Sequence, residues 1–329
     1  MGSLRRIGHD RMNRFDDDVP SYPLIGSIQN NVGMGFLGNQ AMYAVAQALG
    51  ARVVHAPSMF ASAHGGFTGR SSTIAEPAQF RRDVAFLVNQ RPGIILVGFL
   101  PKPEHVDVVA TQLRDYKGVV LLDPVIGDYK KGLFVSQETA RAIREQLVPI
   151  AQIVTPNRFE AEVIVGTNRS MSEMAYLNAL FDLGPEAAII KSFERDAEKH
   201  RITTIFSNGY GYYRFIGPYL PAFSAHGVGD VFAAGVASLC SLGSSPFAAA
   251  ILSTAITARA VASTTPYGGA TVDPVAALEK WSPLGYHVED DRAIRFCERS
   301  NIETQVIKPT AEDGARLKFA PPRHKIIYG

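Results

Sequence analysis

The chain has 329 residues, 46% hydrophobic and 19% charged, a composition able to bury a large core and unlike that of a disordered protein. Its 33 Lys and Arg against 31 Asp and Glu leave a formal net charge of +2, so bulk electrostatics favour neither nucleic acid nor an anionic membrane as partner. Cys240 and Cys297 have no Cys or His neighbour at metal-ligand spacing, which argues against a zinc site or a disulfide framework and suits a reducing cytoplasm.

Residues 1–20 carry charge throughout and contain no apolar run of signal-peptide length, so a flexible leader is expected there. No later segment reads as long enough to span a bilayer. Short Val- and Ile-rich runs at 22–28, 52–56, 94–97, 119–122, 153–154 and 187–190 alternate with helix-length segments near 37–49, 75–90, 103–115, 136–147, 158–166 and 171–182. This rhythm predicts an α/β fold around a mainly parallel central sheet, each strand followed by a crossover. The pattern changes at 202–207 and 211–216, which flank Asn208-Gly209, a dipeptide suited to the positive φ of a tight hairpin, so an antiparallel edge is expected. Two apolar, Ala-rich helices follow near 230–241 and 246–262, the second announced by Ser244-Ser245-Pro246. From about Glu289 the composition turns charged and irregular, ending in Pro321-Pro322-Arg323-His324-Lys325, the pattern of an appended tail. The expected organisation is therefore a leader at 1–20, one domain at 21–288 and a C-terminal extension at 289–329.

Three segments carry candidate chemistry. Gly227-Val228-Gly229-Asp230 runs straight into an Ala-rich helix, where backbone N–H groups and the helix N-terminus can cradle phosphate oxygens. A carboxylate at that spot can also accept the proton of an attacking hydroxyl; the plain alternative is that Asp230 caps the helix. Asp123-Pro124-Val125-Ile126-Gly127-Asp128 directly follows a buried strand, at the usual ligand edge of an open α/β sheet, and offers two carboxylates for hydrated Mg²⁺ or simply two turn formers. Thr155-Pro156-Asn157-Arg158-Phe159-Glu160 again follows a strand and opens a helix; Asn157 and Glu160, three apart, can serve a metal-and-water network or an N-terminal cap. No Gly-x-Gly-x-x-Gly follows the first strand, since Gly33, Gly35 and Gly38 come late and lack an acidic residue at the proper distance, which argues against a dinucleotide enzyme.

The order and separations of these three segments resemble the pyridoxal kinases of the ribokinase-like superfamily, over about residues 22–280. Ser27-Ile28-Gln29, Gly35, Gly38-Asn39 and Ala41 resemble the family's opening segment, and Ser62, His64, Gly66 and Phe67 its substrate-side loop. The resemblance implies a three-layer α/β/α ribokinase-like kinase that phosphorylates the 5′-hydroxymethyl group of a B6 vitamer with ATP and Mg²⁺, often aided by a monovalent cation such as K⁺. It further implies a homodimer; the cysteines and the balanced charge set the expectation of a cytoplasmic protein with no nucleic-acid or membrane partner. Asp230 would be the catalytic base, and Gly227, Val228 and Gly229 the anion hole. Asp123, Thr155, Asn157, Glu160 and Lys191 would surround the ATP phosphates, with Asp123, Asp128 and Glu160 toward the metal. Residues 128–134, with Tyr129, Lys130, Lys131 and Gly132, would cover the phosphates as a basic flap, or remain a solvated loop.

The departures fall on the substrate side. Asn30-Asn31 stands where the family commonly has Ser-His, Ala63-His64-Gly65-Gly66-Phe67 where it has Asn-His-Thr-Gly-Tyr, and Gly98-Phe99 where it has Gly-Tyr. These changes remove hydroxyls from the expected pyridine pocket, lined by Asn30, His64, Gly65, Phe99 and Asp230, and unpaired polar groups on a substrate are costly. Asn30 restores some hydrogen-bonding capacity. Phe60, Phe67 and Phe99 either stack on a flat ring or fill the core, and a lone His64 taken without the family is more often structural than catalytic. Two further readings follow: a kinase of another small alcohol, such as a hydroxymethylpyrimidine or a sugar-like compound, or a ligand-binding homologue without turnover.

Overall fold

The computed structural model describes residues 23–167, 169–220, 226–264, 271–279 and 288–308; the expected leader lies outside them. The first half alternates as the apolar rhythm requires: β1 (Leu24–Val32), α1 (Asn39–Leu49), β2 (Arg52–Ala61), a short β3 (Ser72–Ile74), α2 (Pro77–Asn89), β4 (Ile94–Val97), α3 (Pro103–Leu113) and β5 (Val119–Leu122). A small hairpin of β6 (Gly127–Asp128) and β7 (Gly132–Leu133) precedes α4 (Gln137–Ala142) and β8 (Ile153–Val154). Then come α5 (Arg158–Val165), α6 (Glu173–Phe181), β9 (Ala187–Asp196), β10 (Arg201–Ser207) and β11 (Tyr212–Pro218). The chain continues with α7 (Val228–Ser241), α8 (Pro246–Ser263), α9 (Pro274–Leu278), α10 (Asp290–Glu298) and β12 (Glu303–Val306).

Ten strands form one sheet in the order β12-β11-β10-β9-β8-β5-β4-β1-β2-β3. The six from β9 to β2 are parallel, while β10, β11, β12 and β3 join antiparallel at the two edges. β4 reads Ile-Ile-Leu-Val because it is buried on both faces, as an inner parallel strand must be. One apolar core packs α1, α7, α8 and α10 on one face of the sheet; a second packs α2 to α6 on the other. The three layers follow from that division.

Helix starts obey local chemistry. Ser172 and Ser245 accept the Ala175 and Ala248 N–H groups at the heads of α6 and α8, and Glu76 accepts those of Ala78 and Gln79 ahead of Pro77. α8 is long and apolar enough to cross a membrane by length and composition, contrary to the sequence expectation, but 67% of that stretch is buried within the fold, as in a core helix.

Two expectations change. The β10–β11 connection spans residues 208–211, one longer than the expected 208–210, with φ positive at Gly209 and not at Asn208, whose side chain instead accepts the Tyr210 N–H. Part of the expected tail belongs to the body: α10 buries Ala293 and Cys297 in the core of α8, and β12 adds an edge strand to β11. The charges that suggested an extension lie on the outer face of an amphipathic helix, whose buried positions are too few to stand out in sequence. Both cysteines are free and buried, and burial pushes each thiol up to about 12.

Candidate active site

The carboxyl ends of three parallel strands bring three polar residues together. Asp123 follows β5, Thr155 follows β8, and Lys191 lies on a bulge of β9 between Ile190 and Glu194, beside Ser192 at φ 49. Backbone bonds Asp123 N to Val97 O (2.8 Å), Thr155 N to Leu122 O (2.9 Å) and Lys191 N to Pro156 O (2.8 Å) hold them in register. The Thr155 hydroxyl donates to Asp123 Oδ1 at 2.7 Å, and the Lys191 ammonium donates to the same oxygen.

Asp230 closes this group from the first turn of α7. Its Oδ1 accepts the Gly38 N–H at 2.9 Å, so the loop after β1 fixes the carboxylate. Gly227 precedes the helix at φ 86, and a Cβ there would stand 2.2 Å from the Phe36 carbonyl oxygen, so only glycine lets the turn press on that loop. Gly227, Val228 and Gly229 thus present the open amino end of α7 beside Asp230. Burial, then the Asp123 carboxylate, pushes the Asp230 carboxyl up to about 6, against the Gly38 N–H and Lys191. Burial works against the Lys191 charge, but Asp123 and Glu160, with Asp230 behind them, outweigh it and hold the ammonium above its ordinary value.

Asn157 and Glu160 form a complete capping box: Asn157 Oδ1 accepts the Glu160 N–H (3.0 Å) and Glu160 Oε2 accepts the Asn157 N–H (2.8 Å). They also tie down the β6–β7 hairpin, because Asn157 Nδ2 donates to Gly127 O at 2.8 Å and Glu160 Oε1 accepts the Ile126 N–H at 3.2 Å. Burial dominates in raising the Glu160 carboxyl above the usual range.

The three carboxylates expected around a metal do not converge. Among the described residues no three His, Cys, Asp or Glu side chains form a metal-holding group. Both Glu160 oxygens already accept backbone N–H groups, and Asp128 Oδ1 closes the hairpin turn on the Lys131 N–H at 2.6 Å. Asp123 still fits hydrated Mg²⁺, which takes one or two carboxylates, substrate phosphates and several waters.

On the substrate side, His64 is buried and its ring lies 3.9 Å from that of His226, with Phe67 edge-on at 4.7 Å. Nothing lies within 4 Å of a Cβ built on Gly65. Asn30 abuts Gly38, half-buried. Phe99 packs against the core on the α2–α6 face while its carbonyl accepts the Ser58 hydroxyl at 2.6 Å, so it is at least partly a core aromatic; Phe60 is half exposed. Ser27, Gln29 and Asn39 make a buried chain, Gln29 Nε2 to Ser27 Oγ (2.9 Å) and Ser27 Oγ to Asn39 Oδ1 (2.7 Å), that shapes the loop holding Asp230.

The sequence reading missed His226. It precedes Gly227 and stacks on His64 across the site; burial, then His64, Lys131 and Lys130 lower its imidazole to about 4, against Asp128, so it is neutral near pH 7. Its adjacency to the glycine turn was the available signal. The flap expected at 128–134 is a real hairpin, with Tyr129 exposed and edge-on to Phe159 at 5.5 Å.

The sequence profile of the phosphomethylpyrimidine kinase family matches residues 71–276. A pyridoxal kinase of Corynebacterium diphtheriae is 29% identical over 220 residues, covering 63% of this chain and 77% of that protein. One of Rubrobacter xylanophilus is 30% identical over 221 residues, covering 63% and 76%. Staphylococcus aureus pyridoxal kinase solved with ADP superposes with a TM-score of 0.73 at 19% identity, over 87% of this chain and all of that one; the same protein solved with pyridoxal gives 0.71 at 20%.

Proposed function

We propose a function from one premise: the chain belongs to the phosphomethylpyrimidine kinase family. It is a kinase that transfers the γ-phosphoryl group of ATP to the 5′-hydroxymethyl group of pyridoxal and related B6 vitamers. The observation that carries this reading is the Asp230 carboxylate, fixed by the Gly38 N–H at the open end of α7 and facing the Asp123–Lys191 pair. Relatives near 30% identity that bear the name pyridoxal kinase direct the choice of acceptor.

In this mechanism Asp230 takes the proton of the acceptor hydroxyl as that oxygen attacks phosphorus. With its carboxyl held near 6, it is ionised at neutral pH yet basic enough to accept the proton. Negative charge then grows on the transferring oxygens, which the N–H groups at Gly227–Gly229 and the Lys191 ammonium stabilise. Mg²⁺, when bound, would be held by Asp123 with water and phosphate oxygens and would supply charge neutralisation. His64, His226 and Asn30 offer polar edges to the pyridine ring in place of the hydroxyls the family commonly uses, while the β6–β7 hairpin with Lys130 and Lys131 covers the phosphates. A homodimer in the cytoplasm completes the reading.

A second acceptor, a hydroxymethylpyrimidine, is favoured by the open space at Gly65 and the family profile itself. The test is ATP consumption against pyridoxal, pyridoxine, pyridoxamine, hydroxymethylpyrimidine and several sugars, with K⁺ exchanged for Na⁺ in a parallel series. Asp230→Asn is expected to lose at least about 10²-fold in kcat, the low end for a positioned base. Preserved turnover in that variant dismisses the base; turnover with the pyrimidine alone reassigns the acceptor; silence on every acceptor moves weight to a ligand-binding protein.

A further inference from the structure

The site as described puts two demands on one carboxylate. Asp123 is the residue best placed for a divalent cation, yet its Oδ1 accepts both the Thr155 hydroxyl and the Lys191 ammonium, in an ion pair whose side chains are only 5% and 12% exposed. Glu160 offers no alternative, since its oxygens accept backbone N–H groups, and one oxygen of Asp230 is taken by Gly38. Two cations on one buried carboxylate repel each other far more strongly than in water.

We propose that Lys191 is a resident counter-ion which Mg²⁺ displaces from Asp123, so that the site takes up metal together with the nucleotide and not before it. Without nucleotide, the ammonium is paired directly with Asp123, with Glu160 and Asp230 adding attraction from further off. Its second position lies next door: Lys191 Nζ is 3.4 Å from the point where a Cβ on Gly229 would stand, against the amino end of α7. Phosphate oxygens arriving there give the ammonium a new anion, and its flexible four-carbon stem lets it turn toward them while metal takes its place on Asp123. The bare backbone of Gly229 leaves that path open. Asp123 and the nucleotide thus exchange cations, and Asp123 keeps a cation at either stage.

The inference rests on reading this site as one for MgATP, and its test separates the two. Free Mn²⁺ is followed by electron paramagnetic resonance with the full chain, with and without a non-hydrolysable ATP analogue, beside ordinary ATP turnover. Without nucleotide, Lys191→Met is expected to bind Mn²⁺ at least about tenfold more tightly than wild type, a difference of about 1.4 kcal/mol. Lys191→Arg, which keeps the charge, should bind as weakly as wild type, and adding Asp123→Asn to Lys191→Met should abolish the gain. Lys191→Gln replaces the Met variant if the latter does not fold. Equal nucleotide-free affinity in wild type and the neutral variant overturns the exchange. So does wild-type protein that takes up Mn²⁺ tightly without nucleotide, whatever the variants do. Absence of wild-type ATP turnover overturns the kinase reading instead.

Discussion

Asp230 shows how one residue trades stability for chemistry. Burial and Asp123 raise its carboxyl to about 6, so folding favours its protonated form, and its cost to stability appears as pH rises from its unfolded value near 4 through 6. Asp230→Asn keeps an oxygen for the Gly38 N–H and removes the charge, so thermal melting at pH 8 should show the variant more stable by roughly 1 to 3 kcal/mol, at about 1.4 kcal/mol per pKa unit. At pH 4 the difference should vanish. In wild type, kcat/KM should fall below about pH 6 as the base is protonated, and a pH–rate profile reads that limb directly.

The helix α5 shows how an element can be structural and functional through the same atoms. Its capping box is complete, and that same Asn157 and Glu160 also hold the strand-to-hairpin loop through Gly127 and Ile126. Asn157→Ala should cost about 1 to 2 kcal/mol, the cap contribution, with a lowered melting temperature. It should also speed hydrogen exchange at the Gly132 and Leu133 amides, because the β6–β7 hairpin loses its tie to the helix. An unchanged hairpin would mean that Glu160 alone anchors it.

At the scale of the whole molecule, β1 pairs with β2 on one side and β4 on the other, so the sheet order reverses there, and α1 and α2 leave to opposite faces. Right-handed crossovers on both sides of such a point open a crevice at the carboxyl ends of the strands. The loop from β1 enters it with Gly38, while β5, β8 and β9 supply Asp123, Thr155 and Lys191. The far edge of the sheet depends on the chain beyond residue 288. A chain ending at Val288 loses β12 and the buried Cys297 and Ile302, and should lose more than about 3 kcal/mol on burial of the two side chains alone, measured by urea unfolding. Unchanged stability would return 289–308 to the status of a tail.

The amino-acid order by itself determined the parallel strands, because fully buried strands must be written as short apolar runs, and it set glycine, aspartate and asparagine at the strand ends and helix starts where Asp123, Thr155, Asn157 and Asp230 were legible. Local rules also gave the caps of α5 and α8. Only the tertiary structure decided which carboxylate Lys191 neutralises, that His226 lies on His64, that Glu160 spends its oxygens on backbone N–H groups, and that α10 and β12 complete the body. Those facts depend on contacts between segments tens to hundreds of residues apart, such as Gly38 with Asp230 and Asp123 with Lys191, and on a β9 bulge that apolar periodicity does not encode.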